Sequence, residues 1–293
     1  MNKKSSNLQL KNLIYYVLLL IATPFLLLQN YLQSFIGKLS RLTFSVSDFE
    51  IPYVVVIAVI VFGFALVSYR KKLNRIRIIG IFITFLLIYI GQELTDYYFN
   101  HDFYELQYNW HYFAYGIFAF IAYRFYKSRN LPDEKIILFT FLLAIAISTF
   151  DEFIQVFISN RIFDIGDIGK DAWGSIIGLF IIYFIVEEGR IFQSNLTFRV
   201  RKISDYLQNP KALFLLETIF TLILITVASL LTEIQYIFIA ILIVIGLFII
   251  YFIVFHFSQK KIMRKVFLGL FIVIMMIQVF AFFKYRKKNI INN

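Results

Sequence analysis

The sequence predicts an all-α protein, a polytopic bundle of transmembrane helices. Hydrophobic residues make up 60% of its 293 residues and charged residues only 16%, whereas soluble domains are about half apolar and a quarter charged. Several continuous apolar runs approach or exceed the roughly 20 residues that a helix needs to cross a hydrocarbon core. These unbroken runs exclude the alternating strands of a membrane β-barrel. The net charge of +11 does not indicate a nucleic-acid partner, because the basic residues cluster between apolar runs, as cytoplasmic flanks do.

The apolar runs predict nine spans, or eight if the last run does not cross. They cover about residues 13–34, 50–69, 78–95, 110–126, 136–157, 169–186, 213–232, 236–257 and 266–283. The chain then divides into three regions. Residues 1–77 contain two helices and a basic loop, residues 78–190 form a four-helix core, and residues 191–293 contain an amphipathic connector and three further helices.

The distribution of charge orients these spans. The connection after the second span has five basic residues and no acidic one: Arg70, Lys71, Lys72, Arg75 and Arg77. By the positive-inside rule this connection and the N-terminus lie in the cytoplasm. The loop 95–109, with three acidic residues and no basic one, then lies outside. Nine spans would put the basic C-terminal tail outside as well, which is why eight spans are an alternative.

Two C-terminal features have simple structural interpretations. The connector is predicted to be an interfacial helix starting at Phe192, because apolar residues recur every three or four positions: Leu196, Val200, Ile203 and Leu207. Glu217, near the cytoplasmic end of the seventh span, is expected to extend its carboxylate to the interface.

A charged stretch separates the fifth span from the sixth and extends into both. Asp151 and Gln155 are four residues apart and share a helix face, while Glu152 is rotated by about 100° from Asp151. An ionised carboxylate facing lipid costs about 2.5–3.5 kcal/mol, so these side chains are expected to face protein or water. Arg161 and Lys170 supply positive charge, and Arg161 can hold a carboxylate or a phosphate through two parallel hydrogen bonds.

The sixth span begins with a regular stripe. Asp167, Asp171, Gly174 and Gly178 are spaced four, three and four residues apart, so they line one helix face. The two glycines allow another helix to approach closely, because neither has a side chain. The stripe is therefore predicted to face the bundle.

These residues resemble a motif of VanZ-like membrane proteins, D-E-x-x-Q, an arginine, then D-x-x-x-N-x-x-G-x-x-x-G. The chain reads Asp151-Glu152-x-x-Gln155, then Arg161, then Asp167-x-x-x-Asp171-x-x-Gly174-x-x-x-Gly178. Asp171 occupies the position of the family's asparagine and adds a carboxyl group to the site. The resemblance covers about residues 78–190.

A second element resembles the family's D-K-x-x-H-F-x-x-Y, which precedes an earlier helix. Here His111 and Tyr115 are kept, whereas Gln107 and Tyr108 replace the Asp-Lys pair and Tyr112 follows the histidine. The resemblance implies an envelope protein in the cytoplasmic membrane of a bacterium, associated with reduced susceptibility to teicoplanin, a lipoglycopeptide. It implies no settled biochemical activity.

Four interpretations of the charged stretch remain open. The site could bind an envelope lipid or lipid-linked molecule, with Gln155, Arg161, Asp167, Asp171 and Tyr115 as ligand-binding residues. It could be an intramembrane enzyme acting on a lipid or polyprenyl phosphate, with Asp151, Glu152 and His111 as catalytic candidates. It could be a lipid or small-molecule transporter. It could finally be a salt-bridged helix cap without any ligand.

Other acidic residues extend these interpretations. Glu152, Asp167 and Asp171 could hold a divalent cation as part of an enzyme, although no metal or other cofactor is predicted. Glu93, near the outer end of its span, could join the site. The expected partners are membrane lipids or a lipid-linked envelope precursor, not nucleic acid, and the sequence predicts no oligomeric state.

Overall fold

The computed structural model describes residues 3–27, 31–46, 49–95, 106–157, 163–192, 202–231 and 237–257. These residues are almost entirely helical, which confirms the predicted all-α class. The α-helices in chain order are α1 (Lys3–Leu27), α2 (Tyr31–Ser40), α3 (Tyr53–Tyr69), α4 (Arg75–Thr95), α5 (Leu106–Ser128), α6 (Asp133–Gln155), α7 (Ile165–Phe180), α8 (Ile203–Leu207), α9 (Pro210–Leu230) and α10 (Ile237–Phe257). A π-helical segment, Ile181–Val186, continues α7, and short 3-10 turns cover Arg70–Lys72 and Arg190–Phe192.

A small β-hairpin that the apolar pattern did not predict precedes α3. Strands β1 (Thr43–Val46) and β2 (Phe49–Pro52) pair antiparallel. Helix α3 therefore begins at Tyr53, whereas the second span was predicted from residue 50. Pro52 accounts for this boundary, because a proline disfavours helical backbone in the residue that precedes it.

Within the part of the chain that the structure describes, five helical segments are long and apolar enough to cross a membrane: Tyr53–Lys72, Arg75–Gln92, Asp133–Gln155, Ile165–Val186 and Pro210–Leu230. They correspond to the second, third, fifth, sixth and seventh predicted spans. The first and fourth predicted spans fall mainly on α1 and α5, the eighth on α10, and the ninth lies outside the described residues. The helices thus indicate a membrane protein, while the number of nine crossings stays a prediction.

Helix α7 lies at the centre of the bundle. It packs against α4, α5, α6 and α9, and 83% of its most apolar stretch is buried, whereas none of that of α3 is. Its closest neighbour is α5, against which the small residues of the α7 stripe are packed. The second part of the charged stretch, which includes Asp167 and Asp171, therefore lies on the most enclosed helix of the described chain.

Local sequence signals explain where the helices around the site begin. Asp164 caps the N-terminus of α7 by accepting a hydrogen bond from the Gly166 N–H at 2.6 Å. Helix α9 has Asn209 as its cap and Pro210 in its first turn, where a proline costs no hydrogen bond. Two acidic residues in the first turn of α6 face the positive end of the helix dipole.

Two predictions about the C-terminal region are wrong in the described residues. The connector helix does not run unbroken to Leu207, because Lys202 has an extended backbone and α8 begins only after it; residues 193–201 lie outside the described residues. Glu217 does not reach an interface. It is 5% exposed within α9, since α9 is packed between α7 and its other neighbours.

Candidate functional site

The candidate site lies where the N-terminal ends of α5 and α7 meet the C-terminal end of α6. Asp171 of α7 is at its centre and is 3% exposed. Its Oδ2 accepts a hydrogen bond from Ser148 Oγ at 2.6 Å, and its Oδ1 lies 2.8 Å from His111 Nδ1. One carboxyl group thus connects a residue of α5 with a residue of α6. We call the group formed by His111, Ser148, Asp151, Glu152, Gln155, Asp164, Asp167, Lys170 and Asp171 the acidic site.

His111 and Asp167 form the partly exposed mouth of the acidic site. Their side chains are 26% and 25% exposed, and His111 Nε2 lies 3.8 Å from Asp167 Oδ1. Lys170 Nζ lies 3.3 Å from the same oxygen, although the lysine side chain is only 4% exposed. The buried ammonium group of Lys170 therefore contacts the Asp167 carboxylate from the interior of the protein.

Glu152 connects the end of α6 to the start of α7. It is 2% exposed, its Oε2 accepts a hydrogen bond from the Asp164 N–H at 2.8 Å, and its Oε1 accepts one from Gln155 Nε2 at 2.8 Å. Both carboxyl oxygens are thus occupied by protein donors. These contacts favour a positioning role for Glu152, which the sequence had presented as a catalytic candidate.

Asp151 accepts fewer hydrogen bonds from the protein than Glu152 does. Its Oδ2 accepts a hydrogen bond from Gln155 Nε2 at 3.2 Å. Its Oδ1 is buried and accepts no hydrogen bond from any residue that the structure describes. A buried acceptor without a donor costs roughly 1–3 kcal/mol, so this oxygen is a natural contact point for a donor from a ligand.

Asp164 has a structural role at the edge of the acidic site. Its side chain caps α7, and its backbone N–H holds Glu152. Burial, followed by the negative charge of Asp167, raises the pKa of the Asp164 carboxyl above its ordinary value. Folding thus brings this carboxyl group into an environment that disfavours its ionised form.

The two glycines of the α7 stripe line the contact between α7 and α5. A Cβ atom on Gly174 would lie 2.9 Å from the carbonyl oxygen of His111, and one on Gly178 would lie 2.7 Å from that of Gly116. Because both obstacles are backbone atoms, they cannot move aside as a flexible side chain could. The two glycines therefore set the distance at which His111 reaches Asp171.

The sequence interpretation missed one polar residue and left others unplaced. Ser148, 0% exposed, binds Asp171, and its position three residues before Asp151 on the same helix was the available signal. Tyr115, predicted to bind a ligand, is 4% exposed and lies beside Ser148 and Asp171. Arg161 and the side chain of Glu93 lie outside what the structure describes, so their parts in the site stay predictions.

The acidic site has an excess of carboxyl groups. Five of them, from Asp151, Glu152, Asp164, Asp167 and Asp171, share one lysine and one histidine within the described residues. Across the described ranges, no three or more His, Asp or Glu side chains are arranged so that they could hold a metal ion. The predicted cation-binding trio therefore has no support in this geometry. The carboxyl oxygens of the acidic site instead suit ligands with hydroxyl or ammonium donors.

The comparisons with known proteins agree with the motif. Residues 49–187 match the family model described as VanZ/LLP1. No solved structure and no curated protein matches the chain. The match contains every residue of the acidic site and begins at β2, upstream of the predicted boundary at residue 78. The chain thus contains a VanZ-like domain of the VanZ/LLP1 family, as its motif predicted.

Proposed function

We propose that the acidic site binds the polar head of an envelope lipid or lipid-linked molecule, and that this binding lowers susceptibility to teicoplanin-type lipoglycopeptides. The observation that carries the proposal is the buried Oδ1 of Asp151, which has no donor among the described residues, in a site whose His111 and Asp167 side chains are partly exposed. A buried, unsatisfied acceptor in a partly exposed site favours a ligand that brings its own donor.

The composition of the acidic site narrows the ligand chemistry. Its described side chains offer mainly carboxyl oxygens, which accept hydrogen bonds from hydroxyl and ammonium groups. A head group that contains sugar hydroxyls or an amine fits these acceptors. Arg161, which follows α6 in the sequence, is a candidate for a phosphate of the same molecule.

The distribution of basic residues supports an outward-facing site. The ends of the helices opposite the acidic site are followed by basic connections, among them the one from Arg70 to Arg77. Under the positive-inside rule those ends lie in the cytoplasm, and the acidic site faces the outer leaflet of a bacterial cytoplasmic membrane. That leaflet is the surface that a lipoglycopeptide meets first.

One observation favours a second function, an intramembrane enzyme that acts on a lipid or polyprenyl phosphate. Asp171 Oδ1 lies 2.8 Å from Nδ1 of His111, so the carboxyl group orients the imidazole and leaves Nε2 at the mouth. An aspartate that orients a histidine in this way supports proton transfer at the other ring nitrogen. Among the residues that the structure describes, no comparable contact favours a transporter.

Drug susceptibility of cells tests the binding proposal. A teicoplanin-sensitive Gram-positive host would express equal amounts of the wild type, Asp151→Asn, Asp167→Asn or Arg161→Ala, with Asp133→Asn as a control that also removes one carboxylate, at the other end of the bundle. We expect protection from the wild type and the control, and its loss in the three site variants. Equal protection by all five proteins would show that the acidic site is structural, and no protection by the wild type would refute the resistance role.

A second pair of variants separates binding from catalysis. Asn can donate to Asp171 from roughly the position of His111 Nδ1 but has no counterpart of Nε2. If the site only binds, His111→Asn keeps most of the protection, whereas His111→Ala, which leaves Asp171 without this partner, loses more of it. If the site catalyses proton transfer, both variants lose protection equally, because such groups contribute about 10²–10⁴-fold to a rate.

A further inference from the structure

A large apolar groove lies beside the acidic site, between α3, α4 and α5. Its volume is about 620 Å³, within the range of roughly 300–1,000 Å³ that is usual for ligand pockets. Its walls include Phe62 of α3, Phe85 of α4 and Phe113 and Ile117 of α5, and α7 forms its floor at Gly178.

The groove opens toward the faces of the helices that would contact lipid. Phe85, Phe113 and Ile117 are 51%, 61% and 50% exposed although they line it. Helix α3 has no buried residue among its described side chains, so it covers the groove without closing it. If these helices cross a membrane, hydrocarbon chains are the molecules in contact with the opening.

One end of the groove is polar. Gln92 and Asn109, near the C-terminal end of α4 and the N-terminal end of α5, line it at the level of the acidic site. Gln92 is 7% exposed, and its Oε1 accepts no hydrogen bond within the described parts of the chain. A buried amide oxygen without a donor is costly, so a donor carried by an occupant of the groove would stabilise it.

We infer that the groove binds a hydroxyl-bearing membrane lipid, with a hydrocarbon chain between α3 and α5 and a head-group hydroxyl donating to Gln92 Oε1. The apolar walls recognise the chain, and the unsatisfied amide oxygen of Gln92 selects lipids that carry a donor near the head. This site uses no residue of the acidic site, so the inference does not rest on the proposed function.

Photo-crosslinking of the full chain in lipid nanodiscs tests the inference. The probes are phosphatidylglycerol and phosphatidylmethanol with the same diazirine-labelled acyl chain; they have the same charge, but only phosphatidylglycerol has head-group hydroxyls. We expect crosslinks on the groove walls of α3–α5, with roughly fivefold more product from phosphatidylglycerol, the ratio that one hydrogen bond supplies. Gln92→Leu should make the two yields equal.

Filling the groove provides a matched control. Ala58→Trp places a large ring on the groove wall, whereas Ile60→Trp places the same ring on a position of α3 that does not line it. Loss of groove crosslinks in the first variant alone supports the site. Crosslinks spread evenly over the exposed helix faces and unchanged by Ala58→Trp would overturn it. Equal yields from both lipids in the wild type would overturn the role of Gln92.

Discussion

Acidic residues collect at both ends of the α5–α6–α7 bundle, but they meet different partners there. At the end opposite the acidic site, Arg190 lies 2.9 Å from Asp133 and 2.9 Å from Glu187, Lys127 lies 3.7 Å from Asp133, and the Tyr123 hydroxyl donates to Glu187. We call Tyr123, Lys127, Asp133, Glu187 and Arg190 the ion-pair cluster. In the acidic site five carboxyl groups share two basic side chains within the described residues.

The ion-pair cluster and the acidic site also differ in how exposed their side chains are to solvent. Arg190 and Lys127 are 45% and 41% exposed, so water screens the ion-pair cluster and each bridge stabilises the fold only slightly. Asp171 and Glu152 are almost fully buried. Burying carboxyl groups without enough cations opposes folding. The ion-pair cluster is therefore typical of exposed salt bridges that connect helices. The buried acidic site, in contrast, has the features of a binding or catalytic site.

The pKa values of two carboxyl groups outside the spans express this contrast. Burial works to raise the pKa of Glu187, but the hydrogen bond from Tyr123 and the charges of Arg190 and Lys127 outweigh it and hold the pKa below its ordinary value. Burial and the charge of Asp167 raise the pKa of Asp164. One end of the bundle favours ionised carboxylates, and the edge of the other end disfavours them.

The largest effect is expected from the helix contact that assembles the acidic site. Gly178→Ala puts a Cβ atom 2.7 Å from the Gly116 carbonyl oxygen, so α5 and α7 must separate. We expect a loss of about 1–3 kcal/mol in unfolding free energy, as for other overpacked cores. Gly246→Ala is the control, because within the described residues no atom beyond its chain neighbours and the nearby backbone of its own helix lies within 4 Å of the new Cβ. Unfolding in detergent measures both, and equal midpoints would contradict the close contact.

The next effect concerns Glu152, which connects α6 to α7. Glu152→Ala leaves the Asp164 N–H without its acceptor and the Gln155 amide with only its longer hydrogen bond to Asp151. We expect a loss of roughly 1–3 kcal/mol, the cost of a buried unpaired group. Glu152→Gln keeps an acceptor oxygen and should lose less. If the two variants unfold alike, the hydrogen bonds of Glu152 do not stabilise the fold, and its role lies elsewhere.

We expect pH to have a smaller effect on the unfolding free energy, and this effect has opposite signs for Glu187 at one end of the bundle and Asp164 at the other. The folded pKa of Glu187 lies below its unfolded value of about 4.5, so its stabilisation is present above that pH and is lost as the pH falls further. The folded pKa of Asp164 lies above 3.8, so it destabilises the fold as the pH rises from 3.8 through the folded pKa.

Two conservative variants isolate these contributions. The wild type should lose stability relative to Glu187→Gln on acidification. It should lose stability relative to Asp164→Asn as the pH rises toward neutrality, because Asn still caps the helix. Melting temperatures of the purified protein from about pH 3 to pH 8 measure both differences. Differences of the same sign would show that the two ends do not differ as proposed.

The smallest effect is expected from the ion-pair cluster itself. Arg190→Ala removes the bridges to Asp133 and Glu187, but the guanidinium is 45% exposed. We expect a change below about 1 kcal/mol after solvent screening, and unchanged drug susceptibility. A larger loss of stability, or a loss of function equal to that of Asp167→Asn, would break the distinction between the two ends.

The helices were predictable to different degrees. α6, α7 and α9 follow from apolar length and end signals such as Asp164 and Asn209. The hairpin before α3 was missed, because its four-residue strands are too short to show an alternating pattern against an apolar background. Glu217 was expected at an interface, and only the packing of α9 shows that it is buried.

The acidic site was predictable as a set of residues but not as a set of contacts. Helical spacing put Asp167, Asp171, Gly174 and Gly178 on one face, and the structure has both glycines against α5. The pairing of His111 with Asp171 joins residues 60 positions apart, and no local spacing indicates it. Both oxygens of Glu152 are taken by protein donors, which distinguishes it from neighbouring Asp151.

The sequence by itself determined the class of this protein, its helical faces and its VanZ-like motif, because hydrophobic length and helical period are properties of neighbouring residues. Only the tertiary structure decided which carboxyl groups are satisfied and which are not. It also decided that Gln92 lines a groove. Both depend on how closely α4, α5, α6 and α7 approach one another, and the distance between α5 and α7 is set by glycines that act only when a second helix is packed against them.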